Sequence, residues 1–367
     1  MELDLVTIGD PTVDTFLKIH DAHLALKVQP DQTQLCIDYA DKIPVDEFHR
    51  MAGGNCVNAA VAAARLGLHV AVYGVTGADP EGRSINGDLE RESIDTSLMA
   101  LDHRHSTNAS TALVFRGERT LFVWHQPRSY HLPDLPPAAW IYATSLGPRG
   151  AAVNRLHEAL RCHLDRHPTR LAFSPGTHQL RMGARALAPL LRLSELLLLN
   201  QHEASELTGV NGHPKTQLEA LRRLGPRTVV MTDGTRGSYA FDGDRFFRTG
   251  ILSMPVVDRT GAGDGYGATL MAALQLAPTP GRDGLGYSTS RVRGRRLWSH
   301  SWPSAPATPP GRGEPAPRAC RGGVLRAIST TLAAVDAKRP APLGAGAAPD
   351  GDPSATSRAL RSARAKR

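Results

Sequence analysis

Short apolar runs recur along the chain at Leu3 to Ile8, Val70 to Val75, Trp140 to Thr144, Leu171 to Phe173, Leu196 to Leu199 and Thr228 to Thr232. Each is too brief for a helix and rich in residues that favour extended backbone, so each predicts a buried strand. Between them, Asn55 to Leu66, Ala151 to Leu164 and Gln217 to Leu224 have the wider apolar spacing of helices with one buried face. Strands that alternate with helices predict an α/β fold, in which a mostly parallel central sheet is covered on both faces to give three layers, α/β/α. Sheets of this kind bind ligands beyond the carboxyl ends of their strands, so the loops that follow strands matter most. Ala112 to Trp124 differs: two extended stretches flank Gly117-Glu118 and predict a strand, a turn and a strand.

One such loop region reads Val257-Asp258-Arg259-Thr260-Gly261-Ala262-Gly263-Asp264-Gly265-Tyr266-Gly267, followed by an apolar run through Leu274. The small residues Gly261, Ala262 and Gly263 let successive backbone N–H groups turn toward one point. A helix starting there would aim unpaired donors and a positive dipole end at a phosphoryl group. Asp264 stands where an attacking hydroxyl would approach. The helix N-terminus predicts a lowered pKa for it, hence a weak base, which phosphoryl transfer tolerates because orienting the nucleophile matters more than base strength. The same residues also read as a glycine-rich helix start with a solvent-facing acid near its cap. A second segment, Gly53-Gly54-Asn55-Cys56-Val57-Asn58, opens the Ala-rich helix that closes at Gly67. Two glycines allow a ligand against the backbone, and two amide side chains suit hydroxyl groups, as in a polyol. A tight turn with Asn58 as a cap is the structural alternative.

Together, and in this order, the two segments resemble the ribokinase-like PfkB family of sugar and nucleoside kinases, over about Leu3 to Gln275. Further positions match between them. Asn200-Gln201-His202-Glu203 resembles the family's Asn-x-x-Glu element, which implies that Asn200 and Glu203 organise Mg²⁺ through water around a triphosphate; Glu203 also suits a first-turn acid of its own helix. Thr232, Gly234 and Gly237 match a loop that holds nucleotide phosphates, for which a plain turn is the alternative. Asp14 matches a sugar-binding acid, with Asp10 as the fallback. The resemblance implies an ATP-dependent sugar kinase with Asp264 as catalytic base, and with Asp14, Gly53, Gly54 and Asn58 on the sugar. It implies a small β lid, segments about 15–50 and 110–130, in which Leu35 to Ile43 joins the hairpin, and which pairs two subunits. Arg119, His125 and Arg128 on that lid read as solvated charges or as residues that approach the substrate. A nucleoside kinase is the alternative, with Tyr39 and Phe48 as the base-stacking candidates, and a catalytically impaired sugar-binding relative is a third reading.

Charge changes the picture only at the far end. The formal net charge is +8, yet residues 278–367 hold 16 basic and 5 acidic residues against 27 and 30 in residues 1–277. The basicity belongs to a Pro- and Arg-rich tail with few aromatics, which predicts a solvated, disordered or poorly packed segment rather than a nucleic-acid surface. The kinase domain is therefore expected over 1–277. Relatives are expected to continue with another Ala-rich helix and a Gly-Ala turn, completing an adenine pocket and a monovalent-cation loop. Neither is legible after Gln275, and Arg259 stands where a Thr is expected. A frameshift near Pro280 would explain the loss. Four scattered cysteines give no zinc or disulfide pattern, and no apolar run reaches membrane-spanning length, which predicts a cytoplasmic protein without a membrane partner. The paired His103 and His105 read as a surface loop. Sequencing the gene tests the frameshift: a single-base change near Pro280 should restore an Ala/Val-rich helix and a Gly turn.

Overall fold

The computed structural model describes residues 2–19, 24–28, 33–115, 118–148, 150–251 and 261–276. The tail, the cation loop and Val257 to Thr260 lie outside them. The chain opens with β1 (Leu3–Ile8), then leaves the body through β2 (Thr12–Ile19), β3 (Leu24–Val28), β4 (Thr33–Ile37) and β5 (Val45–Gly53), and returns as α1 (Asn55–Arg65). There follow β6 (Val70–Tyr73), β7 (Val75–Gly77), α2 (Pro80–Arg91), β8 (Ala100–Asp102), and the hairpin β9 (Asn108–Phe115) and β10 (Glu118–Trp124). The second half alternates: β11 (Ala138–Ala143), α3 (Ala151–Arg166), β12 (Arg170–Phe173), α4 (Thr177–Leu180), α5 (Ala184–Leu193), β13 (Ser194–Asn200), α6 (Gln201–Thr208) and α7 (Pro214–Arg223). It ends with β14 (Thr228–Thr232), β15 (Ser238–Phe241), β16 (Phe246–Thr249) and α8 (Ala262–Leu276).

Eight strands form the central sheet in the order β16-β15-β14-β13-β12-β11-β1-β6. The pairs from β6 through β14 are parallel, and only the β14-β15 and β15-β16 pairs are antiparallel. The two-residue period of the strands splits the core. Leu5, Trp140, Leu196, Leu198 and Val230 face α1 and α8 through Ala59, Ala60, Ala63 and Ala268. Their neighbours Val6, Ile141, Leu197, Val229 and Met231 face the opposite way, against Leu156 and Leu160 of α3, Leu187 of α5 and Leu221 of α7. This is the expected three-layer α/β/α arrangement.

Small residues govern how closely α8 approaches. A Cβ on Gly267 would stand 2.6 Å from the Tyr142 hydroxyl and 3.2 Å from a Leu198 methyl, so the helix lies directly on β11 and β13. That approach carries the first turn of α8 to the carboxyl end of the sheet.

The lid differs from expectation in its membership. Its four strands run β10-β9-β2-β5, with β2 parallel to β9 and antiparallel to β5. The Leu35 to Ile43 stretch is not one of them. Thr33–Ile37 pairs with β3 in a separate two-stranded sheet, while Leu35 and Ile43 pack as side chains against Ile19 and Phe115. Strands close in sequence pair first with each other, and the lid then gains apolar cover instead of another strand. Among the described residues no helix is long and apolar enough to cross a membrane.

Candidate active site

Asp264 is the third residue of α8, and its side chain turns inward: it is only 8 % exposed. Asn58, in the first turn of α1, donates from Nδ2 to Asp264 Oδ2 at 3.0 Å. A Cβ on Gly261, where φ is +69°, would come within 3.2 Å of the same Asn58 amide. The first bond of the α8 ladder runs from the Gly265 N–H to the Gly261 carbonyl. The N–H groups of Ala262, Gly263 and Asp264 come before it and have no acceptor within the helix. The glycine-lined helix mouth and the diglycine loop therefore meet.

Burial pushes the Asp264 carboxyl up to about 7; the Asn58 bond opposes this, and the nearby charge of Glu203 adds to it. The sequence-based expectation of a lowered pKa is overturned. Desolvation outweighs the helix end here, and the carboxyl is a stronger base than its position in a helix implies.

The diglycine loop joins the site to the lid. Asp14, on β2, accepts at Oδ1 from Thr12 Oγ1 at 2.8 Å and from Ser110 Oγ at 2.7 Å. Its other carboxylate oxygen fills the place of a Gly53 side chain, where a Cβ would lie 1.9 Å away. Gly54 has φ +93°, and a Cβ there would strike the Asp10 carbonyl at 2.4 Å. Both glycines are thus required by contact. Asp14, Gly53, Gly54, Asn58 and Asp264 form one continuous cluster. Asp10, the fallback, is buried and accepts the Tyr130 hydroxyl and the Gly147 N–H. Burial raises it to about 6 against the pull of those bonds and of Arg128.

The second cluster lies along β13 and β14. Asn200 pairs with Thr232 in the parallel register, so the two expected nucleotide positions are neighbours. Asn200 and Glu203 form a reciprocal cap: the Asn200 N–H donates to Glu203 Oε2 at 2.8 Å, and the Glu203 N–H donates to Asn200 Oδ1 at 2.9 Å. The helix-stabilising alternative for Glu203 is thus realised, with one carboxylate oxygen used. Burial raises its pKa, with the Glu206 charge adding to the effect. Gly234 opens a short turn at φ +52°, with open space where a Cβ would be. Gly237, at φ +95°, has a structural requirement of its own, since a Cβ would lie 2.0 Å from the Thr249 carbonyl. Arg236 ties this turn to α6 through Gln201 at 2.9 Å.

Other candidates moved. Tyr39 is 100 % exposed and Phe48 63 % exposed. The β2-β5 register sets Phe48 opposite Leu17, on the lid face away from Asp14. Arg128 is buried, not solvated, and pairs with Asp102 at 3.2 Å. His105 pairs with the same Asp102, and no cluster of three or more metal-ligating side chains occurs among the described residues. Thr12 was available to sequence reasoning, because it lies two residues from Asp14 on a strand. Ser110 was not, since only cross-strand register brings it there.

A profile of the family described as pfkB family carbohydrate kinase matches residues 23–283. The chain is similar to a fructokinase of Salmonella typhimurium, 27% identical over 244 residues that cover 62% of this chain and 78% of the relative. It is also similar to a nucleoside kinase of Methanothermobacter thermautotrophicus, 27% identical over 238 residues that cover 62% of this chain and 73% of that one. Among solved structures, Arabidopsis thaliana ribokinase complexed with ribose and ATP superposes with TM-score 0.60 at 18% identity, covering 75% of this chain and 86% of its own.

The raised Asp264 pKa has a consequence for stability. The folded chain holds this proton up to about pH 7, whereas the ordinary value is 3.8. The stability it lends is complete below about pH 4 and is lost as pH rises through 7. Asp264→Asn removes that loss. In urea unfolding the variant should be more stable than the parent at pH 8 by about 2–4 kcal/mol, with little difference at pH 4; an equal effect at both would contradict the assignment.

Proposed function

The chain belongs to the pfkB family of carbohydrate kinases and is a phosphotransferase acting on a sugar hydroxyl, and on that premise we propose that it moves the γ-phosphate of ATP to a hydroxyl of a carbohydrate with Asp264 as the base. The Asn58–Asp264 bond carries this reading, because it joins the loop suited to a polyol to the helix mouth suited to a phosphoryl group.

Asp14, with Asn58 and the bare backbone of Gly53 and Gly54, holds the sugar hydroxyls. Asn58 occupies Asp264 Oδ2 and leaves Oδ1 for the reacting hydroxyl, whose proton passes to that oxygen as the new O–P bond forms and the bond from the γ-phosphorus to the bridging β,γ-oxygen breaks, releasing ADP. The N–H groups of Gly261, Ala262, Gly263 and Asp264 stabilise charge on the transferring group, where preorganised donors act without reorganisation.

The residues fit ATP and Mg²⁺. Asn200, Thr232 and Gly234 form a polar, open stretch for phosphates, and Gly237 shapes the turn behind them. Glu203 keeps one oxygen beyond its cap, and its charge acts on Asp264, a repulsion between carboxylates that a cation relieves. A single carboxylate beside Asn200 suits a metal held through water. When bound with ATP, Mg²⁺ supplies charge neutralisation on the phosphate oxygens. The nucleoside alternative draws nothing from Tyr39 and Phe48, which stand exposed. The impaired-relative reading turns on residues outside those described, and turnover decides it.

With ATP and a sugar panel, Asp264→Asn should lose on the order of 10²-fold or more in kcat/KM; an unchanged rate would remove Asp264 from the mechanism. The parent's kcat/KM should rise with pH through about 7 as Asp264 loses its proton. Asn58→Ala should move that limb to higher pH, and Glu203→Gln to lower pH, because the first removes a bond that lowers the pKa and the second a charge that raises it.

We also propose that the lid pairs two copies of the chain. Leu121, Phe122, Val123 and Trp124 are exposed along β10, an edge strand of the lid. Sedimentation should give a dimer, and Phe122→Glu with Trp124→Glu a monomer; a monomeric parent would refute the pairing.

A further inference from the structure

The lid face that carries Asp14 extends further than the residues used so far. Thr12 pairs with Asn108, and Asp14 with Ser110, along β2 and β9. Ala109 pairs with Trp124 on the next strand, so His125, the following residue, falls opposite Asn108. The Gln126 N–H donating to Asn108 Oδ1 at 2.8 Å fixes that alignment. With a strand spacing of about 4.8 Å and a rise of about 3.3 Å per residue, the Cα atoms of His125 and Asp14 stand about 12 Å apart. Two side chains and a six-carbon sugar span that distance.

His125 meets a residue of the body there. Its ring lies edge-on to that of His178, with centroids 5.1 Å apart. His178 belongs to α4, beyond the carboxyl end of β12, where Gly176 is pressed against Ser145: a Cβ would be 2.4 Å from it. The Ser145 carbonyl in turn accepts the Asp10 N–H, next to the diglycine loop. The histidine pair thus stands at the crevice edge formed by the loops after β1, β11 and β12.

The chemistry of this corner is one-sided. Asn108 is 0 % exposed, and its Nδ2, together with His125 Nδ1 and Arg128 Nε, has no hydrogen-bond partner among the described residues. Burial holds both imidazoles below the ordinary histidine pKa, and basic neighbours add to the effect, His178 and Arg128 at His125 and Arg181 at His178. The nearest carboxylates are committed elsewhere, Asp10 to Tyr130 and Gly147, and Asp102 to Arg128 and His105. Buried nitrogen donors without acceptors, with no uncommitted carboxylate beside them, are complementary to an anion.

We propose that His125, His178 and Asn108 form a subsite for an anionic group, carboxylate or phosphate, at the end of the sugar remote from the reacting hydroxyl, so that the substrate is an acidic sugar. Arg181 adds positive charge beside His178. The inference rests on the kinase reading for where the reacting hydroxyl lies, and it is tested by binding so that the two can fail separately.

Calorimetry on the full chain carrying Asp264→Asn, which prevents turnover, compares D-fructose, 2-keto-D-gluconate and D-fructose 6-phosphate. At least one anionic sugar should bind tenfold or more tightly than fructose, and the two anionic probes separate carboxylate from phosphate. Adding His125→Gln and His178→Gln should reduce that preference to below threefold, while His125→Arg with His178→Arg should preserve it. Circular dichroism and thermal melting confirm that each variant is folded. Equal binding of the three sugars, no binding of either anion, or a preference that survives the glutamine pair would overturn the subsite. The kinase reading fails independently if the parent chain with ATP produces no Asp264-dependent ADP from any of the three sugars.

Discussion

A hydrogen bond between the Asn58 amide and the Asp264 carboxylate joins two helix N-termini that are 206 residues apart in the chain. Neither helix could make it without the sheet. α1 is set by β1 and β6, and α8 is drawn down onto β11 and β13 because Gly267 offers no side chain to hold it away. The bond therefore reports the assembly of the whole α/β body. It also leaves little room for error, since the positive φ of Gly261 and the contact it makes with Asn58 fix the backbone at the entry to α8. An added methyl at either Gly261 or Gly267 would separate the diglycine loop from the helix mouth.

The lid is tied to the same point by a different device. Asp14 occupies the space of a missing Gly53 side chain, and Thr12 and Ser110 hold its other oxygen. The placement of Asp14 and that of the lid are thus one interaction, because a lid strand supplies the acid and the returning strand supplies the gap. The buried Asp10, bonded to Tyr130 and Gly147, anchors the next loop and keeps the hinge side of the lid on the body.

Much of this was legible in the sequence, for identifiable reasons. Strands β1 and β14 coincide with Leu3 to Ile8 and Thr228 to Thr232 because buried parallel strands are short, apolar and bounded by turn residues. The Asp264 carboxylate and its amide partner Asn58 were visible in small-residue motifs suited to helix starts. What escaped was set by register and burial. The lid strands could not be matched from local pattern, so Leu35 to Ile43 was assigned a place that β2 and β5 hold. Ser110, Asn108 and His178 carry no local signal; they acquire roles only when β2, β9, β10 and the loop after β12 converge. Arg128 read as solvated because arginine usually is, and its pairing with Asp102 depends on a long-range contact.

The direction of the Asp264 shift shows how such failures arise. The effect of a helix end on a partly exposed charge is about 0.3–1 kcal/mol, or less than one pKa unit. Loss of water around a buried carboxylate is worth up to about 3–5 units in the other direction. Sequence reveals the helix start but not the depth at which it lies, so it favours the smaller effect. Once α8 is lowered onto Tyr142 and Leu198, the carboxylate loses its solvent, and a second acid at Glu203 adds repulsion. Asn58 recovers part of that cost with one bond, enough to hold the group in line without returning it to the range of a solvated acid. A group placed this way can accept a proton near neutral pH, and the instability it introduces is carried by the apolar layers on either side of the sheet.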